Sequence, residues 1–304
     1  MTPTPSTLFT APPDWQWLII GYFFLGGIAG GAYFLAALID LTGHPADRPL
    51  ARLGYFIALP AIAVCGLLLI ADLRRPLRFW HMLVESETLR PMFKWWSPMS
   101  VGSWILLLFS LFAFLSFLAA LSESGRAPGQ RLRWFSRLRP PGLLGTLVTC
   151  LGAVFGFLIA GYTGILLAVT NRPIWSDTNL LGLVFLISGT STAAALMALL
   201  GRQLHWSRPE GVHALERFDS WVLVFELLAI VALVVSLGSL ARLWLSAWGL
   251  LLVVGVLILG ILLPLVLYRR PWLFGGLGAT AAPVLVLVGG FLLRVVIILS
   301  SEAA

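Results

Sequence analysis

"AIAVCGLLLIADLRRPLRFWHM", Ala61 to Met82, changes character at a single point. Up to Ala71 it is almost wholly apolar. Then come Asp72, three arginines (Arg74, Arg75 and Arg78) around Pro76, and behind them Phe79, Trp80 and His81. An apolar run that closes on a carboxylate, a proline and mixed basic and aromatic residues reads as a helix that crosses hydrocarbon and surfaces among headgroups, where Trp gathers and arginine snorkels. Traced back to Leu50, the run has the roughly 20 residues needed to cross about 30 Å of hydrocarbon.

The same pattern recurs along the chain. Hydropathy and turn signals predict eight spans: Trp15 to Asp40, Leu50 to Ala71, Pro98 to Leu121, Gly142 to Thr170, Asn179 to Leu200, Phe218 to Leu240, Leu243 to Leu267 and Leu273 to Ser300. The connections are Pro- and Gly-rich, as in "GHPADRP", "NRPIWSDT" and "SRPEG"; the sixth and seventh spans are joined by little more than "ARLW". The expected fold is an all-α polytopic membrane protein. Residues 1–304 form one membrane domain, with a first four-helix bundle over about 15–170 and a second over about 179–300.

Composition agrees. Of 304 residues 59% are hydrophobic and only 11% charged, against about 25% charged in soluble domains. The net charge of +7 reflects arginines placed between apolar runs as topology signals and lipid anchors, so it points to membrane lipid and not to nucleic acid. The opening "MTPTPSTLFTAPPDW" lacks the basic and apolar regions of a cleaved signal, leaving the first helix to direct insertion.

Eight crossings place both termini on one side. Twelve basic residues fall in the first, third, fifth and seventh connections and seven in the even connections and termini, with Arg294 inside the last span. Positive-inside then sets both termini outside the cytoplasm and brings Asp72, "WWSPMS" and the "YTG" at Tyr162 toward the outer face.

Cys65 and Cys150 lie in apolar runs, too few for a four-thiolate cluster. His44, His81, His205 and His213 all fall in connections, whereas a bis-histidine membrane haem needs imidazoles inside helices. No haem, iron-sulfur or metal site is expected in this chain.

The arginine-rich stretch after Asp72 has two readings, an interfacial anchor or part of a site. Convergence of a carboxylate, a tyrosine, His81 and several tryptophans at one depth favours a pocket able to hydrogen-bond, protonate and flank a flat ring, which suits a quinone. "GGIAGGAY" carries overlapping GxxxG spacings, Gly26 with Gly30 and Gly27 with Gly31, which serve helix packing and also leave room for a ligand. Tyr162 and Thr163 sit between glycines in the fourth span. Glu226 and Arg294 are ionisable groups inside spans and so face an interior, a partner or a water path. Counted from their predicted helix ends they differ in depth by about 15 to 20 Å. They are therefore expected not to pair: Glu226 is either a step in an inward proton path or a protonated glutamate bonded to a neighbour, and Arg294 balances Asp14, Asp72 or Asp177.

Taken in order, "DLRRPLRFW", "SPMSVGSW", "YTGILLAVTNRPIW", the glycine-rich first helix and the late "GGFLLR" resemble the NrfD/PsrC-like family, membrane subunits of polysulfide reductase and related complexes. The resemblance covers essentially the whole chain. It implies a haem-free helical subunit in the prokaryotic cytoplasmic membrane that exchanges electrons between quinone (menaquinone or ubiquinone) and an iron-sulfur subunit docked on the outer face, often with a molybdopterin catalytic subunit beyond. Carried over to this chain, it implies that Asp72, Arg75 and Pro76 form the loop near the quinone head, with Tyr162 facing the same pocket. Thr163 and Gly30 complete the expected quinone contacts, His81 is a further candidate for proton exchange, and Glu226 and Arg294 are candidates for a proton path. Arg74 stands where the family pattern has glycine.

Two other classes carry different signatures. A secondary transporter would show matching helix breakers in both halves, but Pro60 and Pro283 fall in the second and eighth spans. An inert anchor for an enzyme complex would tolerate replacement of Asp72 and Tyr162 without loss of turnover.

Overall fold

The computed structural model describes residues 15–73, 75–124, 130–204, 208–270 and 278–301. Asp14, Arg74, His205 and the predicted start of the last span at 273–277 lie outside them. Among the described residues every long element is helical, and eight helices are long and apolar enough to cross a membrane. They are α1 (Trp17–Thr42), α2 (Arg48–Asp72), α3 (Pro98–Glu123), α4 (Leu143–Ala168), α5 (Leu181–Gln203), α6 (Pro209–Leu237), α7 (Ala247–Arg269) and α8 (Gly278–Ser300).

α1 lies at the centre. It packs on α2, α4 and α5 and touches α8; α3 joins α2 to α4, while α5 packs on α6 and α8, and α8 on α7. The two glycine pairs of α1 make this possible on different faces. A methyl at Gly30 would run into the Gly156 carbonyl of α4, and one at Gly27 or Gly31 would meet Gly189 of α5 at 3.1 and 2.7 Å, so both neighbours approach at backbone distance.

Two ends differ from expectation for physical reasons. α6 starts at Pro209, nine residues before Phe218, because the polar residues that depress hydropathy there are matched inside the fold: Glu216 with Arg202, and Asp219 with Ser191 and Tyr268. The link from α6 to α7 is not a bare turn but a short 3₁₀ segment, Gly238–Trp244, whose buried Trp244 donates its indole N–H to Ser300 Oγ at 3.0 Å. Part of α7, Leu251–Leu262, is wound as a π-helix. Pro60 and Pro283 lie inside continuous helices.

On the face opposite the α2–α3 connection, the ends of α1, α2 and α3 are tied by charge. Arg139, 2% exposed, pairs with Asp40 of α1 and with Glu123 of α3, and Arg48 of α2 donates to Glu123 at 2.9 Å and to the Pro140 carbonyl at 2.7 Å. Tyr55 donates to the same Asp40 at 3.1 Å, with the Arg139 guanidinium over its ring.

Candidate functional site

The helices leave a cavity of about 570 Å³ under the α2–α3 connection, within the size range of small-molecule sites. Its walls come from α1 (Ile19, Tyr22, Phe23), the end of α2 (Leu69, Asp72), the first turns of α3 (Met99, Gly102, Ser103, Leu106) and α4 (Tyr162, Leu166), with Trp15 at one side. Phe79 and Met82 of the short 3₁₀ segment Pro76–Met82 form its lip. This segment exists because Pro76 cannot continue a helix. α2 therefore stops at Asp72, Leu73 turns extended and the chain folds back over the opening.

The lining is mostly apolar, with few polar groups. Asp72 faces it at the exposed end of α2. Tyr162 enters from α4 and donates its hydroxyl to the Pro98 carbonyl at 2.7 Å, leaving its oxygen able to accept. Ser103 and Ser110 spend their protons on carbonyls one turn back, at 2.8 and 2.7 Å. Tyr22 is different. It is 2% exposed, lines the cavity, and among the described residues its hydroxyl has no hydrogen-bond partner. A buried hydroxyl left unmatched costs about 1–3 kcal/mol, so its partner is to be sought in whatever fills the cavity.

The structure separates the residues singled out in the sequence. Asp72 and Tyr162 share the cavity wall. Arg75 and Pro76 lie beyond the lip, exposed. His81 also falls outside the lining; it stacks on Trp80 with ring centroids 3.8 Å apart, its Nδ1 3.0 Å from the Arg78 carbonyl. Thr163 is fully buried and donates to the Ala160 carbonyl at 3.2 Å, and Gly30 faces the α4 backbone. Among the described residues no group of three or more His, Cys, Asp or Glu converges as a metal site.

Glu226 and Arg294, both buried, correct the expected offset in depth, while no ion pair joins them directly among the described residues. Ser188 accepts from Arg294 Nη1 at 3.0 Å and lies beside the Glu226 side chain, so one hydroxyl stands between the two charges. The difference in depth vanishes because α6 begins at Pro209 and not at Phe218. Measured from Pro209, Glu226 lies some 25 Å along α6, level with Arg294. Arg294 is satisfied by Ser188 and by the carbonyls of Gly290 (2.6 Å) and Phe23 (3.3 Å), not by Asp72 or Asp177, and Asp14 lies outside the described residues. The Asp177 carboxylate instead accepts from the Ile174 amide at 3.0 Å.

Two further residues carry weight here. Tyr22 was legible only as a hydroxyl within an apolar helix. Gly102 sits inside the quoted "SPMSVGSW", and a methyl on it would collide with the Tyr162 phenol. Gly102→Val is therefore expected to push Tyr162 off its Pro98 anchor at an overpacking cost of about 1–3 kcal/mol. Its check is the near-ultraviolet circular dichroism and thermal midpoint of the purified variant; an unchanged spectrum and midpoint would show that the phenol has room to move.

Known proteins resemble this one along most of its length. The family description "Polysulphide reductase, NrfD" matches residues 9–303. The C subunit of polysulfide reductase from Wolinella succinogenes is 31% identical, over 83% of this chain and 82% of its own length. Protein NrfD of Escherichia coli is 28% identical over 95% of both proteins, and the NrfD homolog of Haemophilus influenzae 27% identical over 86% and 85%.

Proposed function

From the premise that this chain belongs to the polysulphide reductase NrfD family, membrane subunits of oxidoreductase complexes, we propose that it is the quinone-reactive subunit of such a complex. The observation that carries the reading is the cavity under the α2–α3 connection: apolar walls of a size for a flat ring, with Asp72, Tyr162 and the unmatched Tyr22 hydroxyl on them. The charge distribution sets this end toward the outer face of a prokaryotic cytoplasmic membrane.

The chain supplies position and protons. Electrons come from, or go to, an iron-sulfur subunit docked over the outer face, with a molybdopterin-bearing catalytic subunit beyond it. The exposed Phe93, Trp95 and Trp96, 58%, 75% and 65% accessible, and the arginines beyond the lip offer that partner a surface next to the ring. Reduction of a quinone takes up two electrons and two protons, and oxidation of the quinol releases them. Asp72 accepts or returns a proton at the cavity mouth, while Tyr22 donates to a ring oxygen and the Tyr162 oxygen, its own proton held by Pro98, accepts from a quinol hydroxyl.

Removing one hydroxyl at a time tests this. Tyr22→Phe is expected to weaken quinone binding about three- to tenfold, the worth of a single neutral hydrogen bond, with the rate at saturation little changed. Titrating the intrinsic tryptophan fluorescence with a short-chain menaquinone reads the affinity, since Trp15 lines the cavity. Identical titrations for wild type and variant would place the ring elsewhere.

A further inference from the structure

The bundle does not close the cavity on every side. Along α3 the lining descends from Met99 through Ser103 and Leu107 to Ser110, and along α2 from Leu73 through Ile70 and Leu69 to Gly66. At a rise of 1.5 Å per residue Gly66 lies about 9 Å from the Asp72 end of α2, and Leu107 about 14 Å from the Pro98 end of α3. The lining thus runs well into the spans. Leu107 lines the cavity, yet it is 44% exposed and heads the row Leu107, Leu111 and Phe114 that α3 turns toward lipid. On α2 the cavity face likewise ends at Gly66, next to the exposed Leu67. Cavity and lipid-facing surface therefore meet along the seam between α2 and α3, at the depth of hydrocarbon.

Small residues line that seam without drawing it shut. Glycine in a span ordinarily lets backbones touch, as at Gly31 and Gly189, where a methyl would meet the neighbouring helix at 2.7 and 3.0 Å. A methyl at Gly66 would meet nothing within 4 Å. On α3, Ser103 and Ser110 fold their hydroxyls onto the carbonyls of Met99 and Leu106 and so present little more than a methylene to the seam. This gap is not used for packing. It opens from a cavity that also holds the unmatched Tyr22 hydroxyl, itself buried, and both features ask for a ligand that sits in the cavity and reaches out of it.

We propose that the α2–α3 seam is the passage by which the polyprenyl tail of a quinone leaves the cavity for the lipid, with Gly66, Leu107 and Ser110 as its frame. The inference rests on the quinone reading and deepens it, naming a tailed, lipid-soluble quinone as the form of substrate the chain selects. A cavity of about 570 Å³ accommodates a ring and the first stretch of a chain, so the rest of the tail lies outside. The two exits differ in chemistry. Asp72, Arg75 and Arg78 stand at the mouth, whereas the seam offers only apolar or small side chains, and an apolar chain partitions to the second. Gly66 is then a specificity residue: the absence of a side chain there separates a chain that accepts a tail from one that accepts only the ring.

The test uses the native complex in proteoliposomes, with reduced benzyl viologen as electron donor and two acceptors, menaquinone-7 and the tail-less 2,3-dimethyl-1,4-naphthoquinone. Gly66→Phe, and independently Ser110→Phe, are expected to lower the ratio of kcat/KM for the tailed over the tail-less quinone about tenfold, the worth of a modest overpacking clash. Gly66→Ala, whose methyl has room, should keep the ratio within about twofold of wild type. A ratio that stays at the wild-type value in the phenylalanine variants, whether both rates hold or both fall together, would overturn the passage. Should those variants fail to assemble, wild type decides: a menaquinone with a diazirine on its tail should label α2 at Gly66–Leu67 and α3 at Leu107–Leu111, and label elsewhere refutes the passage. Failure of the quinone reading shows itself differently, as a wild type that reduces neither acceptor, and the passage then falls with it.

Discussion

Asp72→Asn is expected to cut quinone turnover about a hundredfold, at the lower end of what a positioned proton-transfer group contributes. The amide matches the carboxylate in size and still hydrogen-bonds, yet it cannot take a proton at this site. Asp72 ends α2 at the cavity mouth, where Pro76 stops the helix and the Phe79–Met82 lip folds back, so the substitution leaves the local backbone its reasons for being there. The loss should therefore fall on kcat, with KM for quinone moving little. Asp72→Glu, which keeps the proton but shifts it by a methylene, should recover part of the rate. Steady-state assays on the intact complex give both constants. A subunit that only anchored its partners would turn over at the wild-type rate with asparagine at this position.

The second large effect concerns stability. Arg139→Ala should lower the unfolding free energy by about 3–5 kcal/mol, because it strips the partner from a buried carboxylate. Asp40 is 1% exposed at its side chain, and Arg139 is the cation that holds it, while also joining α1 to Glu123 at the end of α3. Tyr55 would still donate to Asp40, without neutralising it. The double variant Asp40→Leu with Arg139→Met should be less damaged than Arg139→Ala, since no buried charge is left alone. Denaturation midpoints in a single detergent compare the three. Equal midpoints for wild type and Arg139→Ala would mean that water reaches Asp40 and that the cluster is solvated.

These two residues also show what sequence reading reaches. The eight spans were legible because hydrocarbon imposes length and apolarity on every helix that crosses it. Asp72 and Tyr162 fell on one wall for a reason of parity: α2 and α4 both end on the same side, so the last turn of one and the last two turns of the other reach the same depth. What hydropathy missed was polar residues that are satisfied by partners far away in sequence. Glu216 and Asp219 read as solvent and hid the first nine residues of α6; that shift in turn misplaced Glu226 relative to Arg294. Tyr22 and Gly102 were illegible for a related reason. An unmatched hydroxyl and the room a methyl would fill exist only once four helices stand around them.

Fold and function meet in the cavity. α1 can serve as one of its walls only because its glycines let α4 and α5 approach on its other faces, and α3 can bring its first turn beside Tyr162 only because Gly102 leaves space for the ring. The cavity is a consequence of backbone approach at those points, and the Pro76 turn closes it at the α2–α3 end.

The account stands on quinone occupying that space, and a photoreactive azido-menaquinone with peptide mapping measures it most directly. Illumination of the native complex should label the lip between Phe79 and Leu83 and the first turns of α3 between Met99 and Leu107, and excess unlabelled menaquinone should abolish both. Label confined to other segments, or label at these segments that menaquinone does not displace, would contradict it.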